Sequence, residues 1–86
     1  MDLRIKKYGA SWCSPCNQQN QEFIEHPLKV EHINFDIDEL EDESLENLGI
    51  TSVPVIILYD GDKEVNRWEG FTESSEINSY IENYEV

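Results

Sequence analysis

The stretch SWCSPC, residues 11–16, contains both cysteines of the 86-residue chain, placed two residues apart around Ser14 and Pro15. The preceding residues 3–8, LRIKKY, predict a strand that ends at Gly9. The residues after the pair predict a helix over 14–25, which Pro27 ends. The cysteines therefore lie at a predicted strand-to-helix junction, where a pair of this spacing is typical of redox or metal chemistry.

Cys13 is predicted to cap this helix. Pro15 has no N–H, which leaves the Cys16 N–H to donate to a Cys13 thiolate. A helix N-terminus lowers a cysteine pKa from about 8.5 to between about 3.5 and 7.5. The net charge of -13 opposes this effect, but remote exposed charges are screened beyond about 8 Å. We therefore expect Cys13 to attack a substrate disulfide and Cys16 to resolve the mixed disulfide, without a metal or an organic cofactor.

Three further strands are predicted over residues 30–37, 53–59 and 63–68. In the first strand, Ile33, Phe35 and Ile37 alternate and would share one buried face. A tight turn centred on Gly61 joins the other two strands as a hairpin.

Two further helices are predicted. Leu45 and Leu48 belong to a short one, with Gly49 just past its end as a left-handed cap. The last helix carries an apolar stripe at i, i+3, i+4 and i+7, formed by Ile77, Tyr80, Ile81 and Tyr84. Thr72 or Ser74 is expected to cap it.

The element order β-α-β-α-β-β-α predicts an α/β protein. The first crossover is long enough for parallel strands and the hairpin is antiparallel, so the sheet should be mixed, with four strands and three flanking helices. A chain of 86 residues supports one core, so we expect a single domain over residues 1–86.

The charge limits the class of partner. A net charge of -13 and a pI near 4.2 exclude nucleic acid and anionic membrane surfaces as ligands, because both are held by Lys and Arg. The acidic run over residues 36–46 is interpreted as a solvated helix face, with a docking surface for a basic partner as the alternative. No secretory signal or membrane span is recognised, so a cytoplasmic protein is expected.

A zinc site is the main alternative use of the cysteines. Cys13 and Cys16 have zinc-ligand spacing, as do His26 and His32. The gap between Cys16 and His26 is shorter than usual, and Pro27 separates the histidines. We therefore expect no metal and interpret both histidines as surface or half-buried residues.

Several motifs, in order along nearly the whole chain, resemble the thioredoxin superfamily. The segment WCSPC resembles the thioredoxin motif W-C-G-P-C, with Ser14 in place of glycine. The segment FDIDE at 35–39 resembles the family's strand end V-D-V-D-E. The segment GITSVP at 49–54 resembles the family's G-I-x-x-V/I-P. Gly70 corresponds to the family glycine after the last hairpin. The resemblance implies a minimal thioredoxin fold.

The resemblance also implies roles for individual residues. Cys13 would be the nucleophile, Cys16 the resolving thiol and Pro54 a cis-proline beside them. The Val53 backbone would pair with a substrate strand, and Asp38 would steady the Trp12 indole. The remaining residues expected around the substrate groove are Trp12, Ser14, Pro15, Gly70 and Phe71.

Two departures from the family pattern stand out. Lys7 replaces the buried aspartate that thioredoxins place six residues before the first cysteine, and Asn34 replaces its usual lysine partner. We expect Lys7 to modulate the cysteines if it lies near them, but more simply to extend into solvent from the strand end. The chain also lacks the family's first strand and helix, so its size resembles a glutaredoxin or a small redoxin that serves ribonucleotide reductase.

The sequence predicts a monomeric protein-disulfide reductase. Its expected partners are disulfide-containing proteins and a reductant that is either similar to thioredoxin reductase or based on glutathione. The alternatives are a glutathione-linked glutaredoxin, an oxidase or isomerase, and a zinc-held or redox-inactive binding module.

Overall fold

The computed structural model describes residues 2–84. The elements are β1 (Leu3–Gly9), α1 (Ser14–Glu25), β2 (His32–Asp36), a 3-10 turn (Ile37–Glu39), α2 (Asp42–Leu48), β3 (Val55–Asp60), β4 (Lys63–Glu69) and α3 (Ser74–Tyr84). The strand order is β2-β1-β3-β4. Strand β2 is parallel to β1, whereas β3 is antiparallel to both β1 and β4. The predicted mixed sheet with three flanking helices is confirmed.

The sheet separates two apolar clusters. Strand β3 supplies both, because successive side chains of a strand point to opposite faces. On one face, under α1 and α3, lie Ile5, Phe23, Ile56, Leu58, Ile77 and Ile81. On the other face lie Tyr8, Ile50, Val55 and Ile57, with Leu45 and Leu48 of α2 packed against them. Each buried side chain of this size contributes about 1.5–3 kcal/mol.

Helix α1 has the predicted bounds. Its apolar residues Cys16, Phe23 and Ile24 have only weak helical periodicity, and the structure buries the first two, whereas Ile24 is 72% exposed and Gln19 is fully buried. Residues 16, 19 and 23 fall on one side of a helix, whereas residue 24 lies a further 100° around it. The polar Gln19 is buried because the backbone of Thr72 binds its side chain.

Strands β2 and β3 are shorter than predicted. Strand β2 lies at the sheet edge and gives way after Asp36 to the 3-10 turn, so Ile37 is not in the strand. Ile33, predicted to share a buried face, is 44% exposed. Strand β3 begins at Val55, after the loop that contains Val53 and Pro54.

The C-terminal end of α2 forms as predicted, whereas the N-terminal end of α3 does not. Gly49 ends α2 with a φ of 71°, as predicted. Neither predicted side chain caps α3. The Thr72 hydroxyl bonds to the Gly70 carbonyl, and Ser74 Oγ is buried without a partner. The Glu22 carboxylate of α1 accepts from the Ser74 N–H instead. Within residues 2–84 no helix has the length and apolarity to cross a membrane.

Candidate active site

The first turn of α1 positions both sulfurs. Cys13 is the N-cap residue, with extended backbone, and its Sγ accepts from the Cys16 N–H at 3.2 Å. Pro15 lies in the same turn and has no N–H to compete for this sulfur. Cys13 and Cys16 form a disulfide with their Cα atoms 5.2 Å apart. The hydrogen bond predicted from the spacing is therefore present.

A loop before β3 lies against the first sulfur. The Val53–Pro54 peptide bond is cis, and Cys13 Sγ lies 3.6 Å from the Val53 carbonyl oxygen. The Gly70 N–H donates to the Pro54 carbonyl oxygen at 2.8 Å, and Gly70 has a φ of 83° that favours glycine. The fold thus brings Val53 to Cys13 and Gly70 to Pro54, although these residues are distant in sequence.

Trp12 lies beside this loop and is 66% exposed. Its indole Nε1 donates to Asp38 Oδ2 at 2.9 Å, which fixes the ring from the 3-10 turn. Trp12 and Val53 line a cavity of about 370 Å³ whose other walls come mainly from Ile37, Leu45 and Ile50. An apolar cavity therefore lies next to the exposed tryptophan and the cysteine pair.

The segment after β4 is tied to α1 by Gln19. Its amide nitrogen donates to the Thr72 carbonyl and its amide oxygen accepts from the Thr72 N–H, both at 2.8 Å. Phe71, between Gly70 and Thr72, is 43% exposed and lines a groove with Glu22 and Glu73, apart from the cavity of Trp12. Ser14 and Pro15 are exposed at the start of α1.

Lys7 does not extend into solvent, so the simpler expectation for it is wrong. Its side chain is only 3% exposed and turns toward α1, where Nζ donates to the Cys16 carbonyl oxygen and to Asn20 Oδ1. Asn34 is its cross-strand neighbour on β2. Burial lowers the pKa of Lys7 from its ordinary value, because the charged form loses hydration.

Three contributors to the site were not recognised in the sequence: the polar Gln19 and Asn20, and Gly9. Gln19 lies three residues after Cys16 and four before Phe23, so helical spacing contained a signal for its burial. Asn20 is four residues after Cys16, but nothing local indicates that it binds a lysine of β1. Gly9 matters because a Cβ there would lie 3.3 Å from Cys16 Sγ and from Lys7 Nζ.

The two histidines lie away from the cysteine pair. His26 is exposed at the end of α1, and the His32 ring packs edge-on against Phe23 with centroids 5.0 Å apart. Residues 2–84 contain no group of three or more His, Cys, Asp or Glu side chains placed to hold a metal ion.

A family model described as Thioredoxin matches residues 2–83. The thioredoxin of Alicyclobacillus acidocaldarius is 30% identical over 78 residues, which are 86% of this chain and 73% of that protein. Thioredoxin-2 of Saccharomyces cerevisiae is 31% identical over 71 residues, 79% of this chain and 67% of that protein. A mutant thioredoxin from Halobacterium salinarum has the same fold, with a TM-score of 0.82 over 99% of this chain and 76% of its own, at 21% identity.

These matches agree with the site geometry. The helix-capping Cys13, its disulfide with Cys16 and the cis Val53–Pro54 bond occur in one chain that matches thioredoxins over most of its length. The chain belongs to the thioredoxin family and is a thiol–disulfide oxidoreductase that reduces protein disulfides.

Proposed function

We propose that Cys13 is the nucleophile and Cys16 the resolving thiol of this reaction. The observation that supports the assignment is the hydrogen bond from the Cys16 N–H to Cys13 Sγ at the start of α1. This donor and the helix macrodipole stabilise a thiolate at Cys13. Cys16 is one helical turn further on and fully buried, so it is placed to meet Cys13 and not a substrate.

The cycle transfers two electrons. The Cys13 thiolate attacks one sulfur of the substrate disulfide, forming a mixed disulfide and releasing the first substrate thiolate. Cys16 then loses its proton and attacks Cys13 Sγ, which forms the Cys13–Cys16 disulfide and releases the second substrate thiolate. The substrate disulfide is reduced and the dithiol is oxidised, with no group required beyond the two cysteines.

The substrate surface is proposed to centre on Val53. This residue precedes β3, and its carbonyl lies 3.6 Å from Cys13 Sγ, so an extended segment paired with the Val53 backbone would lie beside the nucleophile. Trp12 and its apolar cavity would contact a neighbouring apolar side chain. Ser14, Pro15, Gly70 and Phe71 would form the rest of the rim, and Asp38 would hold Trp12 in place.

The proposed partners are proteins that contain a disulfide and a reductase that restores the dithiol. Matches to thioredoxins along the chain support a protein reductase of the thioredoxin-reductase type over glutathione as the source of electrons. A reducing compartment such as the cytoplasm would suit a pair that must be dithiol to act. We propose that the chain works as a monomer and does not bind nucleic acid or membranes.

The first experiment is a redox-buffer titration of the Cys13–Cys16 pair, read by alkylation mass or by Trp12 fluorescence. We expect a potential near the roughly -270 mV of thioredoxin. A value of about -200 to -230 mV would favour a glutaredoxin-like role, and about -180 to -120 mV an isomerase or oxidase. Absence of any transition would contradict the proposal.

Single variants assign the two cysteines. With dithiothreitol as electron source and a model protein disulfide as substrate, Cys13→Ser should abolish reduction. Cys16→Ser should stop turnover as well, but should accumulate a mixed disulfide between Cys13 and the substrate that is visible by mass spectrometry. Accumulation of that adduct in the Cys13→Ser protein instead would reverse the assignment.

A further inference from the structure

A second titratable group is buried against the resolving cysteine. Lys7 of β1 is 3% exposed and Cys16 of α1 is 1% exposed. The Lys7 ammonium reaches two acceptors, the Cys16 carbonyl oxygen at 3.4 Å and Asn20 Oδ1, and both are uncharged. A buried lysine without an anionic partner is costly, because neutral acceptors only partly replace lost hydration.

The Lys7 nitrogen is also close to the Cys16 sulfur. A Cβ built on Gly9 would lie 3.3 Å from Cys16 Sγ and 3.3 Å from Lys7 Nζ, so the two atoms are separated by no more than twice that distance. Two opposite unit charges at such a separation in a buried site change an ionisation constant by about tenfold or more. The absent side chain of Gly9 leaves the space between them open.

The other groups around Lys7 come from β2, β3 and the turn after β2. Lys7 lines a cavity of about 340 Å³ with Asn34, Asp36 and Glu39. On β3, its neighbour is the apolar Ile56. His32 on β2 has its pKa lowered by burial and, to a smaller extent, by the Lys7 charge. The carboxylates of Asp36 and Glu39 are therefore the anions whose influence the test must separate from that of Cys16.

We propose that Lys7 is a positioning residue whose positive charge stabilises the Cys16 thiolate formed during resolution. The inference rests on the proposed role of Cys16. In the disulfide state the ammonium faces neutral acceptors, and in the dithiol protein it gains a thiolate partner once Cys16 loses its proton. Lys7 thus holds the positive charge that balances the Cys16 sulfur when its proton leaves.

The proposed interaction predicts the direction of two measurable changes, one in the reduction potential and one in the Lys7 pKa. A cation that is better paired in the dithiol state stabilises the reduced protein, so it makes the pair less strongly reducing. By reciprocity, ionisation of Cys16, which only the dithiol protein can undergo, must raise the Lys7 pKa as much as Lys7 favours the thiolate. A lysine that only fills space would leave both quantities unchanged.

The first test needs no substitution. The pKa of Lys7 is measured by NMR from the pH dependence of its side-chain 13Cε shift, in the disulfide and in the dithiol protein. We expect a higher Lys7 pKa in the dithiol state, coupled to the Cys16 titration, and no comparable redox dependence at Lys6. Equal Lys7 pKa values in the two states would overturn the inference, since Asp36 and Glu39 are present in both.

The second test uses Lys7→Met, with Lys6→Met as matched control. Lys6 is the adjacent residue of β1, has the same charge and points to the other sheet face, where its ammonium lies over the Tyr59 ring. In a Cys13→Ser background, Lys7→Met should lower the Cys16 thiolate-to-thiol ratio at neutral pH by about tenfold, read from the Cys16 13Cβ shift. Lys6→Met should leave this ratio within about twofold of the parent.

The reduction potential provides an independent readout. With both cysteines present, and at an alkaline pH at which Cys16 of the parent dithiol is ionised, Lys7→Met should become more reducing by about 30 mV, which is a tenfold change in the equilibrium constant of a two-electron couple. Lys7→Arg should return the potential toward that of the parent protein, because it keeps the charge. Equal potentials for Lys7→Met and Lys6→Met would overturn the inference.

Failure of the inference is distinct from failure of the proposed function. Suppose that the parent protein reduces disulfides and the Cys16→Ser variant traps substrate as expected, but Lys7 titrates identically in both redox states. Only the proposed role of Lys7 is then contradicted. If the parent protein shows no redox transition, the proposed function itself is contradicted, and the Cys16 thiolate that Lys7 would stabilise plays no part in turnover.

Discussion

The layer between α1 and the sheet has two ends of opposite chemistry. Toward the C-terminal end of α1, Phe23 packs with Ile5, Ile77 and Ile81 in an apolar cluster. Toward the N-terminal end, the same helix buries Cys16 beside Lys7 and buries Gln19 against the Thr72 backbone. Dispersion and hydrophobic burial hold the first end without fixed directions, whereas hydrogen bonds with fixed donors and acceptors hold the second. The apolar end therefore supplies stability, and the polar end sets the positions of groups around the sulfurs.

The largest expected effect is a loss of stability from the apolar end. Ile77→Ala should lower the free energy of unfolding by about 3 kcal/mol, because it removes three methyl or methylene groups from a fully buried position and leaves a cavity. Urea unfolding measures this change. The redox potential of the folded protein should stay within a few mV of the parent value.

Ile24→Ala is the matched control, since Ile24 has the same side chain but is 72% exposed on α1. It should change the unfolding free energy by no more than about 0.5 kcal/mol. Similar losses from the two isoleucines would refute the assignment of the core to this end of the layer.

A smaller loss of stability, with a change in function, is expected from the polar end. Gln19→Leu keeps the volume but leaves the Thr72 N–H and carbonyl without their side-chain partner. The cost should be about 2 kcal/mol. Because Gly70–Thr72 would lose its tie to α1, the KM for a protein disulfide should rise more than it does in Ile77→Ala, as measured by steady-state reduction.

Gln18→Leu tests whether the rise in KM requires the change at the buried position 19 or follows from any glutamine-to-leucine change on this helix. Gln18 is the exposed neighbour of Gln19 on the same helix, so its substitution should leave the KM unchanged. A rise in KM for both variants would mean that Gln19 does not act through Thr72.

The smallest expected effect is a pH dependence at the boundary between the two ends. His32 packs on Phe23 and lies near the charge of Lys7, and burial, followed by that charge, lowers its pKa in the folded protein. The unfolded chain therefore binds more protons at this residue. Its contribution to stability should be fully retained well above about pH 6.5 and lost as the pH falls through that value toward the folded pKa.

Urea unfolding across this pH range, compared between the parent protein and His32→Asn, isolates the effect from that of the carboxylates. The stability difference between the two proteins should shrink as the pH falls, because only the parent loses the contribution of His32. A constant difference for His32→Asn would contradict the predicted linkage.

The features that were predicted correctly are those determined by residues close together in the sequence. Breakers, caps and periodicity within a few residues predict the bounds of α1, the Cys13 cap, the left-handed Gly49 and the order of helices and strands along the chain. The position of Lys7 did not follow, because a strand lysine extends to solvent unless a helix elsewhere offers acceptors. Similarly, the choice of Gln19 over Ile24 for burial depends on the Thr72 backbone, 53 residues away.

Gly9 adds an evolutionary consequence to this arrangement. A side chain at this position would approach the Cys16 sulfur and the Lys7 ammonium more closely than ordinary van der Waals contact allows. A side chain at residue 9 therefore requires Cys16 and the Lys7 ammonium to move by a few tenths of an ångström, which a shorter or redirected residue 7 would make easier. We expect residues 7 and 9 to vary together among relatives of this chain. A lysine beside the resolving cysteine would then occur together with glycine at position 9.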